Sequence, residues 1–135
     1  MRTETVDLTT GDRPEVVDLT GHCERFLSSV QADGLLNVFV PHATAGLAII
    51  ETGAGSDTDL LELLETLAPP GDRWRHRHGS AGHGRDHVLP AIVSPTLTIP
   101  VLQGRMQLGT WQSVCLVDTN GDNRRRTVRL SFAEG

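Results

Sequence analysis

Residues 35–51, LLNVFVPHATAGLAIIE, hold two near-continuous apolar runs on either side of a polar join. Runs this short, without an alternating polar face, read as strands buried on both sides. Both are therefore expected to be central strands. His42 closes the first, Thr44 and Gly46 open the second, and Glu51 ends it. Upstream, TETVDLTT (3–10) and PEVVDLT (14–20) read as short strands around the turn GDR, and their shared VDLT suggests hairpin partners. Thr20 is expected to cap a helix through GHCERFLSSVQA (21–32), with Phe26, Leu27 and Val30 facing inward and Asp33-Gly34 ending it.

Downstream, Ser56 is expected to cap a second helix. Asp57 and Asp59 favour its positive end, while Leu60, Leu61, Leu63, Leu64 and Leu67 face the core. APPGD (68–72) stops that helix. Then come a histidine-rich loop, TLTIPV (96–101), the turn QGR, a long strand MQLGTWQSVCLVD (106–118), the turn TNGDN and a last strand RTVRLSF (126–132). The order predicts one α+β domain over residues 1–135, with antiparallel pairing, a closing strand meander and two helices packed on the sheets.

Composition narrows the function classes. Aromatics make up only 4% of the 135 residues, so the core must be Leu, Val, Ile and Ala. A formal net charge of −5 argues against a dedicated nucleic-acid binder, and the run Arg124, Arg125, Arg126 reads as a solvated turn or subunit contact. All 12 basic residues are Arg. Schiff-base chemistry and a Lys base are thereby excluded, and a phosphate must be held by Arg, backbone N–H groups, hydroxyls or a metal. Cys23 and Cys115 lie far apart with no C-x-x-C spacing, as expected of buried, reduced thiols in a cytoplasmic protein. No segment approaches the roughly 20 apolar residues that span a membrane, so no membrane partner is expected.

The chemistry concentrates in RWRHRHGSAGHGRDH (73–87), which carries four of the six histidines. His76 and His78, two apart in an extended segment, point the same way. His83 and His87 have the spacing of one helical face, but three glycines in GSAGHGRDH argue against a helix there. A metal site, an anion-binding loop and a solvated turn all remain open on these residues alone. The turn TGAGSD before the second helix can cradle a phosphate on backbone N–H groups, although Asp57 and Asp59 would repel an anion and suit a cation better. Gly109, inside the expected long strand, marks a bulge or a close approach, and Trp111 beside it reads on its own as core filler.

PHATAGLAIIE, WRHRH, DHVLPA, TLTIPV and GRMQLGTWQSVCLVD, in that order, resemble the YjbQ-like family, described as secondary thiamine-phosphate synthases and long listed as of unknown function. The segment LGTWQ is the most specific. The resemblance implies a β(2)-α-β(2)-α-β(3) fold, its antiparallel sheets forming a sandwich with two packed helices, and a homotrimer. It also implies a metal on His42, His76 and His87, leaving His78 and His83 peripheral. Ala43 and Thr44 depart from the family's usual Thr and Ser, and ETGAGSDTD is longer than its usual acidic turn.

The function this implies is a transferase joining a pyrimidine pyrophosphate to a thiazole phosphate, with release of pyrophosphate. A divalent metal, Zn2+ on three imidazoles or Mg2+ with a pyrophosphate substrate, would neutralise the leaving oxygens. Arg75, Arg77, Arg105 and Trp111 would hold the small phosphorylated metabolite, with Glu51, Thr44 and Gln112 as catalytic groups. The alternatives are a metal-dependent hydrolase of a small phosphorylated or ester metabolite, with Glu51 as base, and a non-enzymatic trimeric module binding metal or anion.

Overall fold

The computed structural model describes residues 1–135. Strands β1 (Arg2–Thr9) and β2 (Glu15–Asp18) precede helix α1 (Thr20–Leu27). Strands β3 (Gly34–Phe39) and β4 (Ala45–Ile50) precede helix α2 (Ser56–Leu67). After α2 come two 3-10 turns, His83–His87 and Leu89–Ala91, then β5 (Thr96–Leu102), β6 (Arg105–Met106), β7 (Ser113–Asp118) and β8 (Arg125–Glu134). The α+β class and the expected element order hold. One strand is added because the segment expected as a single long strand is broken between β6 and β7.

All pairing is antiparallel, in a five-stranded sheet ordered β1-β8-β3-β5-β6 and a three-stranded sheet ordered β2-β7-β4. Consecutive strands mostly lie in different sheets. β1 pairs with β8 and β2 with β7, so the two VDLT strands are not hairpin partners. The first copy lies wholly in β1, whereas the second runs out of β2 at Asp18 and into α1 at Thr20, so the likeness marks no shared structural role. The break between β6 and β7 has the same cause, since a strand cannot pass from one sheet to the other without leaving its ladder. The closing segment is likewise not a meander: only β5 and β6 form a hairpin. Of the two apolar runs around His42, β3 is central, between β8 and β5, whereas β4 is an edge strand whose outer face is covered.

The main core lies between the sheets. Leu36, Val38, Ile99, Val101, Val128 and Leu130 of the larger sheet meet Ala45, Leu47, Val114 and Leu116 of the smaller, and α1 contributes Cys23, Phe26 and Leu27. On the other face of the smaller sheet, Val117 packs with Leu64, Leu89 and Val93, so α2 and the second 3-10 turn form an outer layer. Only the Leu60, Leu61 and Leu64 stripe of α2 reaches that layer. Leu63 and Leu67, expected inward, are exposed on its flank. Neither expected cap acts through its side chain. Gly55, in the left-handed region, precedes α2, and the Thr20 hydroxyl instead accepts the Val114 N–H at 2.9 Å, tying α1 to β7. Both cysteines are buried and free, and burial pushes their thiols up to about 12, which leaves them unreactive as expected. No helix is long and apolar enough to cross a membrane.

The core also contains charge. Arg126, expected in a solvated turn, is wholly buried and grips Asp118 with two parallel bonds, Nε to Oδ2 at 2.7 Å and Nη2 to Oδ1 at 3.0 Å. The Thr10 hydroxyl and the Asn120 N–H donate to the same carboxylate, at 2.5 Å and 2.9 Å. Removing the guanidinium strands a buried carboxylate. Arg126→Met should therefore cost about 3–5 kcal/mol in urea denaturation, and the double variant Arg126→Met/Asp118→Leu should recover part of that loss.

Candidate metal centre

The histidine-rich loop is shaped by packing rather than propensity. Trp74 Nε1 donates to the Pro69 carbonyl at 2.9 Å and anchors the chain as it leaves α2. Residues 83–87 do form a turn of helix despite Gly84 and the glycines before it, because a 3-10 turn needs only one or two backbone bonds. Gly84 permits the close approach: a Cβ there would lie 2.5 Å from the His76 carbonyl oxygen and 2.6 Å from Trp74 Cβ. Beneath the turn, Arg85 bonds Glu65 of α2 at 2.6 Å and the Ala68 carbonyl at 3.3 Å. Asp86 accepts the Thr119 hydroxyl at 2.5 Å and the Asn120 amide at 3.0 Å. The two middle residues fasten the turn while the histidines at its ends face His76.

One ring nitrogen from each of His76, His83 and His87 lies within 4.8 Å of the others. The ring centroids are 4.9 Å (His76–His83), 3.8 Å (His76–His87) and 5.4 Å (His83–His87) apart. His83 Nδ1 sits 2.7 Å from the Ser80 carbonyl. A carbonyl only accepts, so Nδ1 carries the proton and Nε2 presents its lone pair, the usual way a backbone carbonyl orients a ligating imidazole. His76 Nε2 is buried with no hydrogen-bond partner. A buried imidazole nitrogen without a hydrogen bond, beside two other imidazoles, is suited to a cation, so the donor set fits a divalent transition metal. Burial, then the neighbouring imidazoles, pushes His76 and His87 below 6.5, which keeps them neutral and ligand-ready at pH 7. The Asp122 carboxylate, 3.9 Å from His83 Nδ1, accepts the Ser80 N–H and hydroxyl, and these bonds hold its pKa down.

A groove of about 390 Å³ opens beside the rings, where Arg73, Trp74, Arg75 and Val88 flank His76 and His87. Of the residues expected to bind substrate, Arg75 lies here, while Arg77 turns back to donate to the Trp74 carbonyl at 3.1 Å. His42 is not brought into the group. Its Nε2 accepts the Thr127 N–H at 2.9 Å, so the remaining nitrogen carries the proton and no lone pair is left for a metal. Burial and the nearby Arg126 charge lower its pKa. Thr44 accepts a bond from Arg126 through its hydroxyl at 2.9 Å.

The other expected catalytic groups lie at the far end of the smaller sheet. Ala45 pairs with Asp118 at one end of β4 and Ile50 with Ser113 at the other. At about 3.3 Å per residue, Glu51 is therefore about 23 Å along the strand from Thr44. Gln112 bonds the Gly109 N–H at 2.7 Å and, with Arg105, lines a separate cavity of about 620 Å³. Trp111 is 72% exposed and fills no core. Asp57 and Asp59 lie in the first turn of α2, and their carboxylates join no cluster able to hold a metal.

A family model described as UPF0047 protein YjbQ-like matches residues 4–135. The chain belongs to the YjbQ-like UPF0047 family. It is 59% identical to a UPF0047 protein of Mycobacterium tuberculosis over 135 residues, covering 100% of each chain. A UPF0047 protein of Archaeoglobus fulgidus is 33% identical over 121 residues, covering 90% of this chain and 94% of the other. Among solved structures, a hypothetical protein of Aeropyrum pernix superimposes with a TM-score of 0.89 at 35% identity, covering 100% of both chains. A YbjQ-like protein of unknown function from Sulfolobus solfataricus shares the fold, with a TM-score of 0.90 at 24% identity over 99% and 97% of the chains.

The sequence left His83 peripheral and gave no sign of Asp122. His83 was obscured by its glycines, which serve close packing here, and Asp122 by its distance in sequence from the loop it meets. The depressed histidines make a stability prediction. The unfolded chain takes up protons near 6.5 that folded His42, His76 and His87 still refuse, so stability is lost as pH falls through the window just below 6.5. The metal-free protein should melt lower at about pH 5.5 than at about pH 7. That difference should shrink in His87→Ala.

Proposed function

We propose that this chain is a metal-dependent enzyme acting on a small phosphorylated metabolite, with its ion on His76, His83 and His87. The observation that carries the reading is the buried, unpartnered His76 Nε2 among three convergent imidazoles. Three imidazoles suit zinc and related transition metals, and zinc is the ion we propose; Mg2+ prefers oxygen ligands and would arrive with the substrate's phosphates. Held by these residues, such an ion would supply charge for a departing pyrophosphate or would acidify a bound water. Arg73 and Arg75 supply fixed charge for phosphate oxygens beside it, and Val88 with Trp74 gives the groove an apolar wall.

The thiamine-phosphate-forming transfer is the first form of this reaction to assay, because displacing pyrophosphate asks mainly for charge at the leaving group. Hydrolysis is the second reading, and the Asp122 carboxylate close to His83 favours it. The two separate cleanly, since the transfer requires both half-substrates and hydrolysis only one. We also propose the homotrimer as the working form. Leu35 lies opposite both Pro100 and Ala133, which makes an exposed apolar row across three strands of the larger sheet.

Elemental analysis of protein prepared without a histidine tag should find about one transition-metal ion per chain, lost in His76→Ala, His83→Ala and His87→Ala. His42→Ala should keep its metal. Protein that can be loaded with no metal, or that loses it only in His42→Ala, contradicts the assignment. Light scattering on the same samples should give a trimer mass.

A further inference from the structure

We infer that His78 is a displaceable fourth ligand of this centre, closing it at rest and yielding to an incoming oxyanion. The inference rests on the metal centre proposed above. With metal–nitrogen distances of about 2.0–2.1 Å, four imidazoles around a tetrahedral ion hold their ring centres about 5 Å apart. His78 stands at 4.0 Å from His76, 5.7 Å from His83 and 6.2 Å from His87, just outside the trio whose nitrogens lie within 4.8 Å of one another, so its ring joins them by a short movement. His76 and His78 lie two apart in a stretch of bends, and their rings stand side by side.

The four histidines differ in how firmly they are held. His83 is buried and fixed by the Ser80 carbonyl, and His87 belongs to a turn fastened through Arg85 and Asp86. His78 is exposed, with no hydrogen bond holding its ring, and is followed by Gly79 at φ +89°, which lets the chain turn away directly after it. Gly79 must also stay small: a Cβ there would lie 2.9 Å from His83 Cε1 and 2.9 Å from the Asp122 carboxylate. The ring that can leave is therefore exposed and unfastened, and His83 and His87 are anchored.

What displaces it follows from the groove. A site closed by four nitrogens is structural, whereas three ligands and an open position permit chemistry. Arg73 and Arg75 bring positive charge to the same opening, so a phosphate or phosphomonoester oxygen is the ligand chemistry that can replace a neutral imidazole there. His78 then acts as a gate that keeps adventitious ligands off the ion until a sufficiently anionic one arrives.

The test is cobalt substitution. Wild type and His78→Ala are loaded with Co2+ and titrated with inorganic phosphate while the visible absorption is followed. His78→Ala should bind Co2+ more weakly, show a different spectrum before phosphate is added, and bind phosphate about tenfold more tightly than wild type, since no imidazole has to leave. Superimposable spectra with equal phosphate affinities, both proteins holding Co2+, would overturn the role of His78 and leave the three-histidine centre standing. Failure of both proteins to take up Co2+ would overturn the centre and the gate together.

Discussion

Asp118 and Arg126 face each other in the interior with 1% and 0% of their side chains exposed. Burying two charges is costly, and the pair is tolerable only because its remaining oxygens and protons are largely used. Thr10 arrives from the end of β1, Thr44 from the start of β4 and Asn120 from the turn after β7. The pair thus stands where both sheets and two chain reversals meet. It fixes their relative position more specifically than the surrounding aliphatic contacts, which tolerate sliding.

The constraint reaches the histidines through one residue. Asn120 gives its N–H to Asp118 and its side-chain amide to Asp86, whose neighbours in the 3-10 turn end in His83 and His87. Its side-chain oxygen accepts the N–H groups of Asp122 and Asn123, which brings the Asp122 carboxylate under Ser80. A loop with three glycines and little intrinsic preference is thereby held in one arrangement from below. The candidate centre is ordered by the core and presented on a surface groove, as a site needing fixed ligands and an approachable ion requires.

Much of the architecture was legible in the sequence because it rests on local patterns. The apolar runs around His42, the turn residues at Gly34 and Gly104 and the leucine stripe of α2 each mark an element. Pairing was not legible. The repeated VDLT suggests hairpin partners and residues 106–118 read as one long strand, yet the chain changes sheet at nearly every connection, which no short-range pattern encodes. The site divided in the same way. His76 and His87 were marked by the resemblance of WRHRH and DHVLPA to the family's segments, since spacing alone left the histidine-rich loop open. His42 misleads because a histidine at a strand end serves equally well as an acceptor for a backbone N–H, the role it has beside Thr127. Arg126 misleads more strongly, since nothing in a run of three arginines says that the third turns inward.

The most direct measurement is a crystal structure of the zinc-loaded protein with anomalous diffraction recorded at the zinc edge. One strong peak per chain is expected, about 2.0–2.1 Å from a ring nitrogen of each of His76, His83 and His87. A peak bound by His42 without His83, or no peak under conditions that saturate the protein with zinc, would contradict the assignment of these ligands.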